Sequence, residues 1–234
     1  MRKSRVNIKK VREKVRDAKG FLFDFDGTLV NLDQLNVDAF ADIFKEMFNL
    51  DFTREDFMKY VSGRGAENGL REYLEVNGIK DFSSKEINMK FFKKKKVLIE
   101  ENIEKEVYLI PGIAKFLRYL EESGRDMNLI VTSSRKEYVK RILTHFGLFD
   151  HFRCVIDRNM VVKGKPNPEI FLKGIEYTGF GVEHCLAFED SFYGLQSAKS
   201  AGLFTIGILN EGWNDDFVYT LSDTTISNYE ELLT

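Results

Sequence analysis

The chain has 234 residues, which is enough for one large domain or for one domain with a smaller domain inserted. Hydrophobic residues make up 43% and charged residues 31%, as in ordinary globular proteins, and the formal net charge of -2 gives no overall field that would attract nucleic acid or a membrane surface. No apolar run reaches the roughly 18 residues that a spanning helix needs. The two cysteines fit no metal-ligand spacing and are consistent with a reducing compartment. We therefore expect a cytoplasmic protein without a membrane partner. The composition does not favour nucleic acid as a partner, and the sequence leaves the oligomeric state open.

The first 19 residues are basic. Residues 2–19 carry a net charge of +7, against -2 for the whole chain. One interpretation is a solvated helix in which Val11 and Val15, four residues apart, pack on the body of the protein. The other is a contact surface for an anionic partner. We treat residues 1–19 as a basic N-terminal extension.

Short apolar runs separated by helical patterns follow from residue 20 onwards. A run without alternating polar residues is typical of a strand that is buried on both faces of a parallel sheet. Such runs occupy residues 20–24, 128–132, 153–156, 185–189 and 204–208. Helical patterns that end at glycines lie between the later runs, at residues 138–147, 167–179 and 191–202. We therefore predict a doubly wound parallel sheet of the Rossmann-like α/β class, in which the loops after the strands gather at one edge.

About 100 residues separate the first run from the second, far more than a simple crossover needs. Residues 34–107 have helical periodicity throughout, with Thr53 and Ser83 as plausible N-caps. We predict that they form an inserted α-helical cap, and that residues 20–33 and 108–234 form the α/β core. Because the insert leaves the sheet directly after the first strand, we expect it to act as a lid over the edge where ligands bind.

The first strand ends in the sequence Asp24-Phe25-Asp26-Gly27-Thr28. Two carboxylates two residues apart, where a strand becomes a loop, can both face one site, and Gly27 permits the sharp turn that follows. Asp24 could attack a phosphorus atom while Asp26 protonates the leaving oxygen. Taken alone, the same pattern is also consistent with an ordinary acidic turn.

Further polar groups follow three of the later strands. Thr132 and Ser133 offer hydroxyl donors for phosphate oxygens at the start of a helix. Lys165, held in an extended conformation before a proline, can place a positive charge on a phosphoryl group. Glu189 and Asp190 follow an apolar strand, where two acids are costly without a cation, and Mg²⁺ prefers carboxylate oxygens. A nucleophile, neutralising groups and a metal site are together what phosphoryl transfer requires.

Four stretches resemble the haloacid dehalogenase-like superfamily of phosphotransferases: FDFDGTLV, IVTSS, KGKPNPEIF and FEDSFYGLQSAKSAG. The resemblance covers residues 20–233, and the position of the helical insert matches the subfamily that contains β-phosphoglucomutase and phosphoglycolate phosphatase. It implies a Mg²⁺-dependent enzyme that forms an aspartyl-phosphate. The dehalogenases themselves lack the second acid of the first motif and need no metal, so Asp26 favours phosphate chemistry.

The resemblance also implies a role for each matching residue. Asp24 would be the nucleophile, and Asp26 the general acid and base. Thr132 would bind phosphate oxygens, and Lys165 would bridge the nucleophile and the phosphoryl group. The implied metal ligands are Asp24, the backbone carbonyl of Asp26, Glu189 and Asp190.

We therefore predict a Mg²⁺-dependent phosphatase that hydrolyses a small phosphorylated metabolite such as a sugar phosphate. The nearest alternative is a mutase similar to β-phosphoglucomutase, although such mutases carry a threonine and a histidine where this chain has Leu32 and Asn36. Further alternatives are a polynucleotide or protein phosphatase guided by the basic extension, and a non-catalytic binding protein with the same fold. We expect substrate specificity to depend on Asn36 and on Arg64, which lies between two glycines in the insert.

Overall fold

The chain divides into two compact units, Met1–Asn31 with Leu109–Thr234, and Leu32–Tyr108. The computed structural model describes most of the chain: residues 8–61, 66–209 and 215–233. The first unit contains both strands and helices, and the second is helical. Within the described ranges, no helix is long and apolar enough to cross a membrane.

A parallel sheet forms the centre of the first unit. The strands of the described residues are β1 (Gly20–Phe23), β2 (Val30–Asn31), β3 (Tyr108–Leu109), β4 (Met127–Val131), β5 (Cys154–Ile156), β6 (Cys185–Glu189), β7 (Phe204–Ile208) and β8 (Thr224–Ile226). Six of them form one sheet in the order β5-β4-β1-β6-β7-β8, and every neighbouring pair is parallel. The predicted doubly wound fold is confirmed, with β8 as an additional strand at one edge.

Helices flank this sheet and make up the second unit. Those of the described residues are α1 (Ile8–Asp17), α2 (Asp33–Phe48), α3 (Arg54–Asp56), α4 (Ala66–Val76), α5 (Ser84–Glu106), α6 (Ile113–Glu122), α7 (Lys136–His145), α8 (Glu169–Thr178), α9 (Phe192–Ser200) and α10 (Asp215–Leu221). Gly147, Gly179 and Gly202 follow α7, α8 and α9 with φ angles of 68°, 71° and 84°. They end these helices in the left-handed conformation, as their positions in the sequence predict.

Both faces of the central strand β1 are buried. Successive side chains of a strand point to opposite faces, so Leu22 and Phe23 meet different neighbours. Leu22 packs in a cluster with Phe171 of α8, whereas the Phe23 ring stacks on Phe188 of β6 with 4.6 Å between centroids. Phe116 of α6 covers this second face, at 6.5 Å from the Phe23 ring. This two-sided burial explains why the strand is a continuous apolar run in the sequence.

Helix α1 packs on the first unit through one apolar stripe. Val11 and Val15 are both buried, as the helical interpretation of the basic extension predicts. Arg12 Nε donates a hydrogen bond to the backbone carbonyl of Glu231 at 2.8 Å, which ties α1 to the C-terminal segment. Part of the basic extension is therefore a packed helix of this unit.

Stacked aromatic rings fill the centre of the helical unit. Phe40 of α2 stacks on Phe91 of α5 with 4.2 Å between centroids, and Phe44 of α2 stacks on Tyr73 of α4 at 5.3 Å. One turn along α5 from Phe91, Lys95 is only 4% exposed, and its ammonium lies 5.7 Å from the Phe91 ring centroid. The helical unit thus has its own aromatic core and one buried lysine stem beside it.

The two helix N-caps that the sequence predicts in this unit are confirmed. Thr53 accepts a hydrogen bond from the Asp56 amide in a reciprocal capping box, and α3 continues into a π-helix at Phe57–Val61. Ser83 accepts a hydrogen bond from the Glu86 amide at the start of α5. Both caps satisfy amides that have no partner within their helices.

Candidate active site

Asp24 lies at the carboxyl end of the central strand of the sheet. Its amide donates to the Phe188 carbonyl of β6 at 2.9 Å, directly after the paired residues Phe23 and Phe188. On the other side, Phe23 pairs with Ile130 of β4, and Thr132 follows two residues later. The sheet extends from β1 towards β4 and β5 on one side and towards β6 on the other, which makes this the switch point where ligands bind in open α/β sheets.

The loop after Asp24 closes tightly against Asp190. The Gly27 amide donates to the Val30 carbonyl at 2.7 Å, and Gly27 has a φ angle of 82°. A Cβ atom on Gly27 would lie 2.0 Å from Asp190 Oδ2. The buried hydroxyl of Thr28 donates to Asp190 Oδ1 at 3.0 Å. Glycine is therefore required here by the left-handed backbone and by the nearby carboxylate.

Lys165 joins two carboxylates. Its ammonium lies 2.7 Å from Asp24 Oδ1 and 2.6 Å from Glu189 Oε1, and its side chain is 6% exposed. The ammonium also lies over the ring of Phe171 of α8, 5.2 Å from the ring centroid. The peptide bond from Lys165 to Pro166 is cis. Lys165 thus holds the predicted nucleophile and one acid of the pair that follows β6 in fixed orientations.

Glu189 is fully buried and is held at both carboxylate oxygens. While Oε1 accepts from Lys165, Oε2 accepts from the amide of Ser191 at 2.7 Å and from its hydroxyl at 2.9 Å. The same hydroxyl caps α9 by accepting from the Gly194 amide at 3.0 Å. A Cβ atom on Gly194 would lie 1.6 Å from Glu189 Oε1. The first turn of α9 therefore leaves room for this carboxylate only because residue 194 is glycine.

The site concentrates negative charge in a buried place. Burial raises the pKa of Asp24 to about 7, while Lys165 acts to lower it and Glu189 acts to raise it. Burial also raises the pKa of Asp190 well above its ordinary value, and the charges of Glu189 and Asp24 add to this effect. For Lys165, burial lowers the pKa, but the attraction of Asp24 and Glu189 outweighs it and the net pKa is raised. The lysine is therefore charged, and the carboxylates still repel one another.

Three of these acids fit a divalent metal ion. One oxygen from each of Asp24, Glu189 and Asp190 lies within 4.8 Å of the others. Carboxylate oxygens are the preferred ligands of Mg²⁺, and a cation would neutralise the charge that burial disfavours. The structure brings four of the predicted site residues together: Asp24, Lys165, Glu189 and Asp190.

The sequence profile of one protein family, described as haloacid dehalogenase-like hydrolase, matches residues 21–208, well over half of the chain. The chain belongs to this family. The resemblance carried by the four motifs is therefore confirmed, and so is the predicted enzyme class, a hydrolase of the haloacid dehalogenase-like type.

Relatives of this haloacid dehalogenase-like hydrolase include two enzymes named for phosphorylated sugars. A phosphorylated carbohydrates phosphatase of Thermotoga maritima is 28% identical over 194 residues, which are 83% of this chain and 86% of the relative. A beta-phosphoglucomutase of Bacillus subtilis is 27% identical over 194 residues, 81% of this chain and 83% of the relative. The crystal structure of CbbY from Rhodobacter sphaeroides in complex with phosphate superposes with a TM-score of 0.74 at 23% identity, over 92% of this chain and 96% of that one. At that identity the structural similarity shows the fold.

The hydrolase carries its predicted phosphate-binding hydroxyls just after β4. Thr132 is buried, and its Oγ1 accepts a hydrogen bond from the Ser134 amide at 3.0 Å, while Ser133 is exposed. Asp26, the predicted general acid, is half-buried in the loop after β1. The roles of these three predicted residues stay predictions.

The predicted specificity residues belong to the insert. Asn36 lies on α2 of the helical unit and is 7% exposed, one turn after the fully buried Leu32. Arg64 lies outside the described residues. Their contribution to specificity, and the action of the insert as a lid, stay predictions.

Thr28 and Ser191 orient the acids of the hydrolase, although the sequence alone does not reveal these roles. Thr28 bonds to Asp190 and Ser191 bonds to Glu189. The signal for Ser191 is its place before a helix, where serine is a favoured N-cap. Thr28 has no comparable local signal, because its partner is 162 residues away in the chain.

Proposed function

We propose that this hydrolase is a Mg²⁺-dependent phosphatase that transfers the phosphoryl group of a small phosphorylated metabolite to Asp24 and then to water. The observation that carries the proposal is the buried ammonium of Lys165, 2.7 Å from Asp24 Oδ1 and 2.6 Å from Glu189 Oε1. A carboxylate that attacks a phosphate monoester meets electrostatic repulsion, and a fixed cation beside it reduces that repulsion. The same cation can contact the phosphoryl oxygens during transfer.

In the first step, a carboxylate oxygen of Asp24 attacks phosphorus, and the bond between phosphorus and the leaving oxygen breaks. Asp26, two residues further along the same loop, donates a proton to the leaving oxygen, which departs as an alcohol. Lys165 holds the Asp24 carboxylate in one orientation and balances negative charge in the transition state. The step leaves an aspartyl-phosphate on Asp24.

In the second step, water attacks the phosphorus of this aspartyl-phosphate. Asp26, now ionised, accepts a proton from the water, and the bond between phosphorus and the Asp24 oxygen breaks. Inorganic phosphate departs, and both aspartates return to their starting protonation states. In both steps the hydroxyls of Thr132 and Ser133 donate hydrogen bonds to phosphoryl oxygens.

When bound, Mg²⁺ supplies positive charge beside the phosphoryl oxygens. Asp24, Glu189, Asp190 and the carbonyl of Asp26 would hold it. Glu189 keeps its orientation without the metal, because Lys165 and Ser191 already donate hydrogen bonds to its two oxygens. Oε1 accepts a single hydrogen bond and so has a further lone pair for a metal, whereas both lone pairs of Oε2 are engaged by Ser191.

We propose a phosphorylated carbohydrate as the substrate class, which the names of two relatives support. Asn36 and Arg64 would contact the part of the substrate remote from its phosphate. A mutase must keep water from its aspartyl-phosphate, and polar groups that gate the general acid serve this purpose. Leu32 has no polar side-chain atom, and Asn36 does not titrate near neutral pH as a histidine would. Hydrolysis is therefore favoured over phosphoryl return to a sugar.

The test is a screen of phosphorylated sugars in which released phosphate is followed with Mg²⁺ and with EDTA. We expect release only with Mg²⁺, and a loss of at least ~10³-fold in Asp24→Asn, because this isosteric change removes the nucleophile. Far-UV circular dichroism of the variant checks that the fold is kept. Near-wild-type release by Asp24→Asn would refute the covalent mechanism.

A second assay separates hydrolysis from the mutase reaction. The protein is given β-glucose 1-phosphate with a trace of glucose 1,6-bisphosphate, and both products are followed. Free phosphate without glucose 6-phosphate supports the phosphatase. Rapid formation of glucose 6-phosphate with little phosphate release would identify a mutase instead.

A further inference from the structure

Tyr229 lies behind the loop that follows Asp24. It opens the short 3-10 turn Tyr229–Leu232 near the C-terminus and is fully buried. Its ring packs against Phe116 and Phe188 with centroid distances of 5.4 and 5.6 Å, and its hydroxyl donates to the Thr28 carbonyl at 3.1 Å. A phenylalanine would fill the same space among these rings. The hydroxyl therefore contributes something other than packing.

The hydrogen bond from Tyr229 reaches the residue that holds Asp190. Thr28 accepts from Tyr229 through its carbonyl and donates to Asp190 Oδ1 through its hydroxyl at 3.0 Å. The preceding residue, Gly27, lies so close to the same carboxylate that a Cβ atom there would be 2.0 Å from Oδ2. Both oxygens of Asp190 thus lie against the Gly27-Thr28 segment, and a shift of that segment would move them.

The turn that carries Tyr229 is itself firmly held. The Tyr229 amide donates to the Pro111 carbonyl at 2.9 Å, and Arg12 of α1 donates to the Glu231 carbonyl at 2.8 Å. Asn228 and Glu231 form a reciprocal capping box at the start of the turn. Tyr229 is therefore a fixed point against which the Thr28 backbone can be positioned, and α1 contributes to fixing it.

The Tyr229 phenol is protonated at neutral pH and can donate its hydrogen bond there. Burial raises the pKa of Tyr229 well above its ordinary value, and the charges of Asp190 and Asp24 raise it further. A protonated phenol beside a backbone carbonyl keeps the direction of this hydrogen bond constant.

We propose that Tyr229 is a positioning residue for Asp190 and acts through Thr28. By holding the Thr28 carbonyl, it keeps the Thr28 hydroxyl on Asp190 and so fixes this carboxylate in an orientation that can ligate the metal. The inference rests on the proposed function of Asp190 as a Mg²⁺ ligand. Tyr229 itself touches neither the metal nor the substrate.

The experiment compares Tyr229→Phe with the wild type by calorimetric titration of Mg²⁺ into the substrate-free protein. We expect about tenfold weaker binding, the low end of the effect of groups that orient metal ligands. The half-saturating Mg²⁺ concentration for phosphate release should rise by the same factor, while KM for the sugar phosphate at saturating Mg²⁺ stays unchanged.

Tyr73→Phe is the matched control. Tyr73 is also buried, and its hydroxyl donates to the Asp51 carbonyl at 2.9 Å in the helical unit. Both variants lose one phenol-to-carbonyl hydrogen bond, so both should lose a similar amount of thermal stability. Only Tyr229→Phe should weaken Mg²⁺ binding.

Thr28→Val tests the second hydrogen bond of this arrangement, from the Thr28 hydroxyl to Asp190. Thr28→Val should weaken Mg²⁺ binding at least as much as Tyr229→Phe does. A variant with both substitutions should bind Mg²⁺ as well as Thr28→Val alone, because the two residues act in series. Thr28→Ser, which keeps the hydroxyl, should restore binding. Unchanged Mg²⁺ affinity in Tyr229→Phe, or an equal loss in Tyr73→Phe, would overturn the inference. Wild-type protein that binds Mg²⁺ but releases no phosphate would refute the proposed function alone, and wild-type protein that binds no Mg²⁺ would refute both.

Discussion

We expect Lys165→Met to destabilise the metal-free protein and to make its stability depend more steeply on pH. In the wild type the ammonium lies 2.7 Å from Asp24 and 2.6 Å from Glu189, and the three side chains are 6%, 10% and 0% exposed. Methionine is unbranched and apolar, and it has a similar length. The substitution therefore removes mainly the charge.

The size of the effect follows from this burial. Removing one partner of a buried ion pair costs about 3–5 kcal/mol, because the other charge remains buried without compensation. In Lys165→Met two carboxylates lose the same cation, which favours the upper part of that range when both are ionised. Uptake of a proton by Asp24 limits the loss, so the loss must depend on pH.

The direction of the pH dependence follows from the pKa of Asp24. In the folded wild type this pKa is about 7, against an ordinary value of 3.8, so between these values the folded state binds a proton that the unfolded state lacks. Stability therefore falls as pH rises through this range. Without Lys165, which lowers this pKa, the fall continues above pH 7, and each unit of pKa adds about 1.4 kcal/mol. The free energy of unfolding should therefore differ more between variant and wild type at pH 8.5 than at pH 6, by up to about 2 kcal/mol, since about 1.4 kcal/mol per pH unit can accumulate over the roughly 1.5 units above pH 7.

Urea unfolding followed by far-UV circular dichroism, in EDTA and at both pH values, measures these differences. The matched control is Lys199→Met, which removes an ion pair with Asp223 of the same 2.7 Å length but with 40% and 28% exposed side chains. We expect that control to cost less than ~1 kcal/mol, because water screens such a pair. If Lys165→Met costs no more than Lys199→Met, or costs the same at both pH values, the electrostatic reasoning is wrong.

Three further substitutions or conditions test other parts of the structure. In Gly194→Ala the new Cβ would lie 1.6 Å from Glu189 Oε1, so the carboxylate must move. We expect kcat for phosphate release to fall by roughly tenfold or more. An unchanged kcat would contradict the close approach of Gly194 to Glu189. Protons compete with Mg²⁺ for Asp24, whose pKa is about 7. The Mg²⁺ affinity measured by calorimetry should therefore fall below pH 7 by up to about tenfold per pH unit. Equal affinity at pH 6 and pH 8 would exclude Asp24 as a ligand. Val15→Ala removes two buried carbon atoms from α1 and should lower the free energy of unfolding by about 2 kcal/mol. The control Val76→Ala, at a side chain that is 69% exposed, should lower it little. Similar values for the two variants would show that α1 does not contribute to the core.

The fold could be predicted from the sequence where the signal is local. Burial of both faces leaves continuous apolar runs at residues 20–24 and 185–189, and these runs became the central strands β1 and β6. The caps at Thr53 and Ser83 depend on residues only three positions away. The sequence does not predict strand β8, because its three residues include two threonines and form no apolar run.

Contacts between distant parts of the chain could not be predicted, because they depend on how the elements pack. The hydrogen bond from Tyr229 to Thr28 joins residues 201 positions apart. The sequence predicts that Asp24, Lys165 and Glu189 lie together at one edge of the sheet. It does not predict that the ammonium of Lys165 bridges the other two. Residues 93–96 are four consecutive lysines, and the sequence does not reveal that Lys95 is the buried one.

The central place of β1 in the sheet has a consequence for how the protein is made. β1 leaves the ribosome before either of its neighbours in the sheet, which begin only at Met127 and Cys185. Asp24 and Lys165 are 141 positions apart, and at roughly 5–20 residues per second their synthesis is separated by on the order of 10 s. All residues of the unit Leu32–Tyr108 are available within that interval. A nascent or prematurely terminated chain can therefore contain Asp24 without Lys165, and the proposed site is complete only after Lys165, Glu189 and Asp190 have all been synthesised.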